Sequence, residues 1–486
     1  MLYLKNCTKL LFFSDKAKLV LIFEKNTLSL LLIFEKIRCL LVLIIEKNMY
    51  IKRNIDAELL AWAKEDKRKP LLIRGARQVG KSSAVRRLGE HFEHFVEINF
   101  EQHKQAQRFF NGDLSPEKIC ENLSVFYRTP IIPGKTLLFF DEIQACIPAI
   151  SSIRFFYEQY PELHLIAAGS LLEFALSELP SFGVGRVRSL FMFPFSFDEF
   201  LHALGETQLT ELKLKASPDN PLLEPMHEKL LDLLKRYIIL GGMPEVVASF
   251  VSDRDEIKCE RILDDQIISL KADFVKYKKR VSSSRISEVF ESVVQQSGGR
   301  FVYTKAATEA TLYQVKQALE LLIMAGIVIP VTHTSANGIP LGAEVNAKKR
   351  KMLIFDTGIF QRILGLNISD ILFSDDFSAI NKGAIAEIFV GLELQKSKSC
   401  YHRDDLYFWQ REALNSQAEI DYLIQNKGKV LPIEVKSGNK GSMQSLHLFL
   451  KEKKIPFGVR CSLENFSSYD NIKVVPLYAV PNILNL

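Results

Sequence analysis

The order of hydrophobic and polar positions changes character several times along the chain, and each change predicts a different kind of element. From position 70 onward, apolar runs of strand length alternate with helical stretches: Leu71 to Ile73, a helical pattern opening at Lys81, Phe95 to Phe100, a helical region around Leu114 to Tyr127, Leu137 to Phe140, and His164 to Ala168. That alternation predicts βαβ units and a buried parallel sheet, an α/β fold whose ligand-holding loops lie at the carboxyl ends of the strands.

Between Phe200 and Phe250 the pattern turns helical, broken by Pro218, Pro221 and Pro225, and reaches Gly241-Gly-Met-Pro244. Residues 283–335 read as two or three short helices, with Val315 to Met324 the most periodic, followed by an apolar run at Ile327 to Val331. This is a winged-helix-like order. Beyond about residue 341 come a strand at Lys351 to Phe355, a loop at Asp356-Thr-Gly358, a helix over Gly383 to Leu394, and strands near 405–410, 418–425, 430–436 and 472–478. The expected units are therefore a core over 49–200, a helical lid over 201–280, a winged-helix-like domain over 281–340 and a mixed α/β domain over 341–486.

The first 48 residues follow a different rule. Apolar blocks at Leu19 to Phe23, Leu30 to Phe34 and Leu40 to Ile45 are each followed by Glu-Lys, at Glu24, Glu35 and Glu46, a spacing of 11 residues. None approaches the ~18 uninterrupted apolar residues that a membrane helix requires, so no spanning segment is expected. The tract reads as a foreign extension, either translated repetitive sequence upstream of a start at Met49 or a segment lying on a membrane surface. It carries no candidate chemistry.

Composition alters this picture little. With 47% hydrophobic and 25% charged residues the 486-residue chain is ordinary globular protein. Its seven cysteines form no CxxC pair, so they predict reduced thiols in a cytoplasmic protein rather than a zinc or redox site. A net charge of +6 permits nucleic-acid contact without arguing for it.

The first candidate site follows the strand ending at Ile73. Gly75, Ala76, Arg77, Gln78, Val79, Gly80, Lys81 and Ser82, with Ser83 behind them, spell a phosphate-binding loop between a strand and a helix. Glycines let backbone N–H groups face phosphate oxygens, and the helix N-terminus adds partial positive charge. Lys81 is placed for the β and γ phosphates of ATP, and Ser82 for Mg²⁺. Asp141 closes an apolar strand where a carboxylate needs a cation, so it is the expected metal partner. Glu142, directly after it, is the candidate base for the water that attacks the γ-phosphate.

Ser170 ends a third strand, either as a γ-phosphate or water contact or as a helix cap. Arg186 is either an arginine that stabilises transition-state charge, from its own chain or a neighbouring one in a homo-oligomer, or a surface residue. The set Arg74 to Ser82, Phe140-Asp-Glu-Ile-Gln144, Ala168-Gly-Ser170, Gly185-Arg186, Phe193-Pro-Phe-Ser196 with Glu199-Phe200, and Gly241-Gly-Met-Pro-Glu-Val246 resembles prokaryotic AAA-type ATPases that carry a C-terminal domain of unknown function. The resemblance spans roughly residues 50–440. It implies a core ATPase, a helical lid, a winged helix and a nuclease-like tail, and no particular substrate.

A second cluster lies near the C-terminus. Glu419 to Gln425 and Val430 to Lys436 read as a hairpin joined at Asn426 to Lys429, placing Asp421, Glu434 and Lys436 at one surface. Two carboxylates and a lysine suit Mg²⁺-dependent phosphodiester chemistry. With Glu387 on the preceding helix, the spacing resembles the PD-(D/E)xK nucleases. That resemblance implies Glu387, Asp421 and Glu434 as metal ligands. Arg403, Arg411, Lys427, Lys429, Lys440 and Trp409 are candidate contacts to DNA. Cleavage, binding without cleavage and a salt-bridged sheet edge all remain open from the residues alone. The functional expectation is an ATP hydrolase coupled to a module that binds or cuts DNA. The alternative is an ATP switch whose C-terminal module binds a protein.

Overall fold

The computed structural model describes residues 50–178, 185–277, 281–366, 382–412, 418–437 and 442–486. The tract at 1–48, Lys440 and residues 182–184 before Arg186 lie outside them. The first sheet contains β1 (Leu71–Arg74), β2 (His94–Asn99), β3 (Thr136–Asp141), β4 (His164–Ala168) and β5 (Arg188–Phe191), in the order β2-β3-β4-β1-β5. Every pairing in it is parallel. β3 and β4 are buried along their whole length, as strands covered on both faces should be. Phe140, Ile98, Leu123 and Phe156 belong to the core on one side of this sheet. A P-loop NTPase sheet is thus present, as the alternation predicts.

The region expected as a lid is helical: Thr207–Lys215, Glu224–Leu240, Pro244–Asp253 and Glu256–Asp273. Pro225 and Pro244 fall in first turns, where the missing N–H costs nothing. Helices Ser283–Gln295 and Leu312–Met324 follow, the second opened by a capping box of Thr311 and Gln314.

The second sheet joins β6 (Val328–Thr334), β7 (Val345–Ile354), β8 (Leu406–Gln410), β9 (Glu419–Asn426), β10 (Lys429–Val435), β11 (Gly458–Ser462), β12 (Ser467–Tyr469) and β13 (Ile472–Pro476). Its order is β12-β13-β11-β10-β9-β8-β6-β7, and its pairings are mixed. Here the expected boundary at 340/341 needs correction. β6 and β7 pair antiparallel across it, and β6 lies beside β8 of the C-terminal part. The run expected at Ile327 to Val331 is β6, built with β7 into the larger sheet, where the buried stretches Val328 to Val331 and Met352 to Ile354 find apolar cover. Residues 52–486 form one unit by their contacts. Among the described residues no helix is long and apolar enough to cross a membrane.

The Gly241-Gly242 pair gains a structural reason. The buried Asp356 accepts hydrogen bonds from Gly242 N (2.7 Å) and Ile359 N (3.0 Å). A Cβ on Gly241 would stand 2.2 Å from Asp356 Oδ1, and Gly241 also has φ +75°. The glycines therefore let the helix ending at Leu240 meet the helix Thr357–Ile363.

Candidate functional site

The phosphate-binding loop leaves β1 in a backbone that few residues tolerate. Gly75 (φ +149°) passes so close to β5 that a Cβ would lie 2.1 Å from Met192 O, and Gly80 (φ +95°) starts the helix Lys81–Gly89 from the left-handed region. Gln78 also has positive φ. Val79 is buried, Gln78 and Ser83 face solvent, and Ala76 packs beside Gly326. Arg77 forms an ion pair with Asp273 at the end of helix Glu256–Asp273.

Lys81 is 7% exposed and turns back on its own loop, donating to Ala76 O (2.7 Å) and Gly75 O (3.0 Å). Burial pulls its ammonium down to about 8, against the opposing pull of Glu142 and Asp141. Ser82 Oγ donates to Asp141 Oδ1 at 3.0 Å, and Asn99 Nδ2 donates to Asp141 Oδ2 at 3.2 Å. Burial raises the Asp141 carboxyl, the state expected of an acid facing a cation's place.

Glu142 sits in the left-handed region at φ +48°. Its Oε2 accepts from Gln144 Nε2 (2.6 Å), Ser170 Oγ (3.2 Å) and, at 3.4 Å, Ser170 N. Ser170 is thus brought to the site through Glu142. The parallel register explains the assembly, since loop, acid pair and Ser170 all leave the carboxyl ends of β1, β3 and β4.

Arg186 is not part of this assembly. It precedes β5, whose Arg188 pairs with Leu71 at the start of β1, so it lies at the amino ends of these strands, away from the loop at their carboxyl ends. There it forms an ion pair with Glu158 at the end of helix Ile147–Gln159. A role on the nucleotide of its own chain is therefore corrected.

The C-terminal hairpin forms with the expected faces. Ile433 pairs with Tyr422, which sets Glu434 opposite Asp421. A residue absent from the sequence expectation occupies the centre. Lys351 of β7, 1% exposed, donates to Glu387 Oε1 at 2.7 Å, touches Glu419, and lies 3.6 Å from Asp421. Lys436 donates to Glu434 Oε1 at 2.7 Å, and Asp421 Oδ2 accepts from Val435 N at 2.8 Å. Glu434 Oε2 is buried with no hydrogen-bond partner among the described residues.

Burial pushes Glu387 and Glu434 up to about 7, and Lys351 opposes this for Glu387. Lys351 itself is raised: burial works against its charge, but Glu387, Asp421 and Glu419 outweigh it. An ammonium thus holds the position where the metal reading needs a divalent ion. Of the expected ligands, Glu387 and Asp421 meet Lys351, while Glu434 pairs with Lys436. Among the described residues no three His, Cys, Asp or Glu are arranged to hold a metal.

Of the expected DNA contacts, Trp409 and Arg403 turn inward, whereas Lys427 and Lys429 are exposed and Arg411 is half-buried. Trp409 is 3% exposed and packs on Phe449 at 4.9 Å, and Arg403 donates to Ile323 O at 3.3 Å. Lys427 reaches the backbone oxygens of Asn485 and Leu486, and Arg411 pairs with Glu452.

Asn99 and Lys351 stand outside every sequence motif, and Gln144 appeared only within the motif Phe140 to Gln144, with no role of its own. Asn99 could have been found at the carboxyl end of β2, beside the acid strand; Lys351 had no such signal.

Three family models match the chain: an AAA domain at residues 67–201, a domain of unknown function (DUF8612) at 231–370, and a domain of unknown function (DUF4143) at 382–480. No curated protein matches it. Among solved structures, a Walker-type ATPase of Pyrococcus abyssi is 14% identical at a TM-score of 0.42, covering 65% of this chain and 96% of that one. The Orc1 protein of Aeropyrum pernix, solved in complex with DNA, is also 14% identical, at a TM-score of 0.26, covering 65% and 93%. Neither score reaches 0.5, so neither likeness carries over a partner. The AAA family model and the loop, Ser82 and acid-pair geometry inside it make residues 67–201 an AAA-type P-loop ATPase domain.

Proposed function

We propose that the chain hydrolyses ATP with Mg²⁺ held beside Ser82 and Asp141, and that the nucleotide state is passed to the C-terminal sheet, which binds a protein partner. The 3.0 Å hydrogen bond from Ser82 Oγ to Asp141 carries the first half, because a hydroxyl and a buried carboxylate converge beside the phosphate loop. These residues suit Mg²⁺, with phosphate and water completing its oxygen shell. Bound there, the ion would neutralise charge on the phosphate oxygens. Lys81 would exchange its carbonyl partners on the loop for phosphate oxygens. Glu142, positioned by Ser170 and Gln144, would accept the proton of the attacking water.

Three contacts support the passage of state. Arg77 of the loop pairs with Asp273, Ala76 packs beside Gly326 ahead of β6, and Glu393 of helix Lys382–Lys396 accepts from Phe197 N at 3.1 Å. That last helix also carries Glu387. The inward packing of Trp409 favours a protein partner over DNA, since a base-stacking ring would need an open face. The test is ATP turnover at low salt with and without single-stranded and duplex DNA. Turnover within about twofold of the DNA-free rate is expected; stimulation beyond about fivefold would replace this reading with the DNA one.

A further inference from the structure

The structure assigns Arg53, which lies ahead of the whole ATPase sheet, as the positioning residue that orients the phosphate loop's Val79–Gly80 peptide. This inference rests on the reading of residues 75–83 as a nucleotide cradle. Arg53 is 6% exposed, and its guanidinium lies 4.0 Å over the Phe195 ring. Nε donates to Glu199 Oε1 at 3.0 Å and Nη2 to Phe193 O at 2.7 Å. The remaining branch, Nη1, donates to Val79 O at 3.0 Å.

Glu199 is itself fixed. It forms a capping box with Ser196 and accepts from Asn54 N at 2.7 Å. The fork is therefore aimed from behind by a buried carboxylate and a ring, and it delivers one hydrogen bond to the loop.

That bond has a directional consequence. In a planar trans peptide the C=O and N–H point opposite ways. Holding Val79 O toward Arg53 turns the Gly80 N–H away from Arg53, and Gly80 directly precedes Lys81 at the helix N-terminus. A phosphate-binding loop needs this amide turned to the anion. Gly80 has φ +95°, and its Cβ position would lie 3.7 Å from Arg53 Nη1, so the guanidinium packs directly behind the peptide it holds. Arg53 touches no nucleotide atom in this account. A lysine has one compact ammonium in place of the fork and cannot meet Glu199, Phe193 O and Val79 O together.

The experiment compares the whole chain with Arg53→Ala, Arg53→Lys and Glu199→Gln, measuring Kd for ATP and ADP, KM, kcat and Tm. Arg362→Ala serves as a control, since it breaks a part-buried ion pair with Glu260 and Asp264 away from the loop. Arg53→Ala should raise Kd for both nucleotides and KM by about tenfold or more, with kcat at saturation changed by less than about threefold. Arg53→Lys should fall between it and the wild type, and Arg362→Ala should lower Tm without moving Kd. Folded Arg53→Ala with wild-type Kd overturns the assignment. If that variant does not fold, wild-type affinity in both Arg53→Lys and Glu199→Gln overturns it equally. Failure of the wild type to bind ATP would instead remove the nucleotide reading beneath it.

Discussion

Lys351 and Glu387 meet at 2.7 Å with side chains 1% and 8% exposed, in the position where two carboxylates and a helix acid had pointed to a divalent metal. An ammonium on a strand is a fixed counter-ion, and it makes the cluster a structural element with its own energetic signature. Lys351→Met takes the counter-charge from Glu387, Glu419 and Asp421 and should destabilise the chain by about 3–5 kcal/mol, whereas Lys351→Met combined with Glu387→Leu should recover part of that loss, the share owed to Glu387. Urea unfolding of the three proteins checks this. A neutral single substitution would show that the pair is not formed.

The same cluster sets a pH dependence. Glu387 and Glu434 titrate near 7 in the fold against an ordinary 4.5, so the folded chain holds protons that the unfolded chain has released. Their contribution is full below the unfolded value and is lost as pH rises through 7. Tm should therefore fall between about pH 5 and pH 7 and level off above that, by about 2 °C for each kcal/mol lost, and the slope should flatten in Glu387→Gln with Glu434→Gln. An equal slope in that variant would contradict the assignment.

Lys81 gives a second pH signature, of opposite origin. Its pKa is lowered to about 8, so its charge is present below that pH and is lost as pH rises through it. Phosphate binding requires the ammonium, and the apparent affinity for ATP should weaken by up to about tenfold per pH unit above 8. Titrations from pH 7 to 9.5 test this. Lys81→Ala should bind weakly with no such break.

Arg186 offers a negative prediction. Paired with Glu158 at the amino ends of the strands, it cannot reach the loop of its own chain, so Arg186→Ala should leave turnover per chain within about twofold. A larger loss that depends on protein concentration would place this arginine in a neighbouring subunit's site.

These features differ in how visible they were. The phosphate loop, Asp141 and the Glu419 to Lys436 hairpin are local: turn residues, an apolar run and period-two alternation specify them within a few positions. Lys351 ends a basic run from Lys348 through Arg350, of which Lys348 is exposed and Lys349 and Arg350 are half-buried. Nothing in the run itself shows which cation turns inward, because that depends on helix Lys382–Lys396 arriving above β7. Arg53 and Glu199 are 146 residues apart, and the Gly241 contact with Asp356 closes across more than a hundred. The boundary at 340/341 was hidden for the same reason: short helices followed by the run Ile327 to Val331 fit a winged helix locally, and only the pairing of β6 with β7 and β8 ties that run to the C-terminal strands.

Hydrolysis of ATP by the site joining Lys81, Ser82, Asp141 and Glu142 is tested most directly by turnover of the Glu142→Gln variant. Phosphate release with Mg²⁺ should fall by about 10²-fold or more relative to the wild type while ATP affinity stays within about threefold, and chelation of Mg²⁺ should abolish the wild-type rate. Wild-type turnover in Glu142→Gln, or magnesium-independent turnover, would contradict the account.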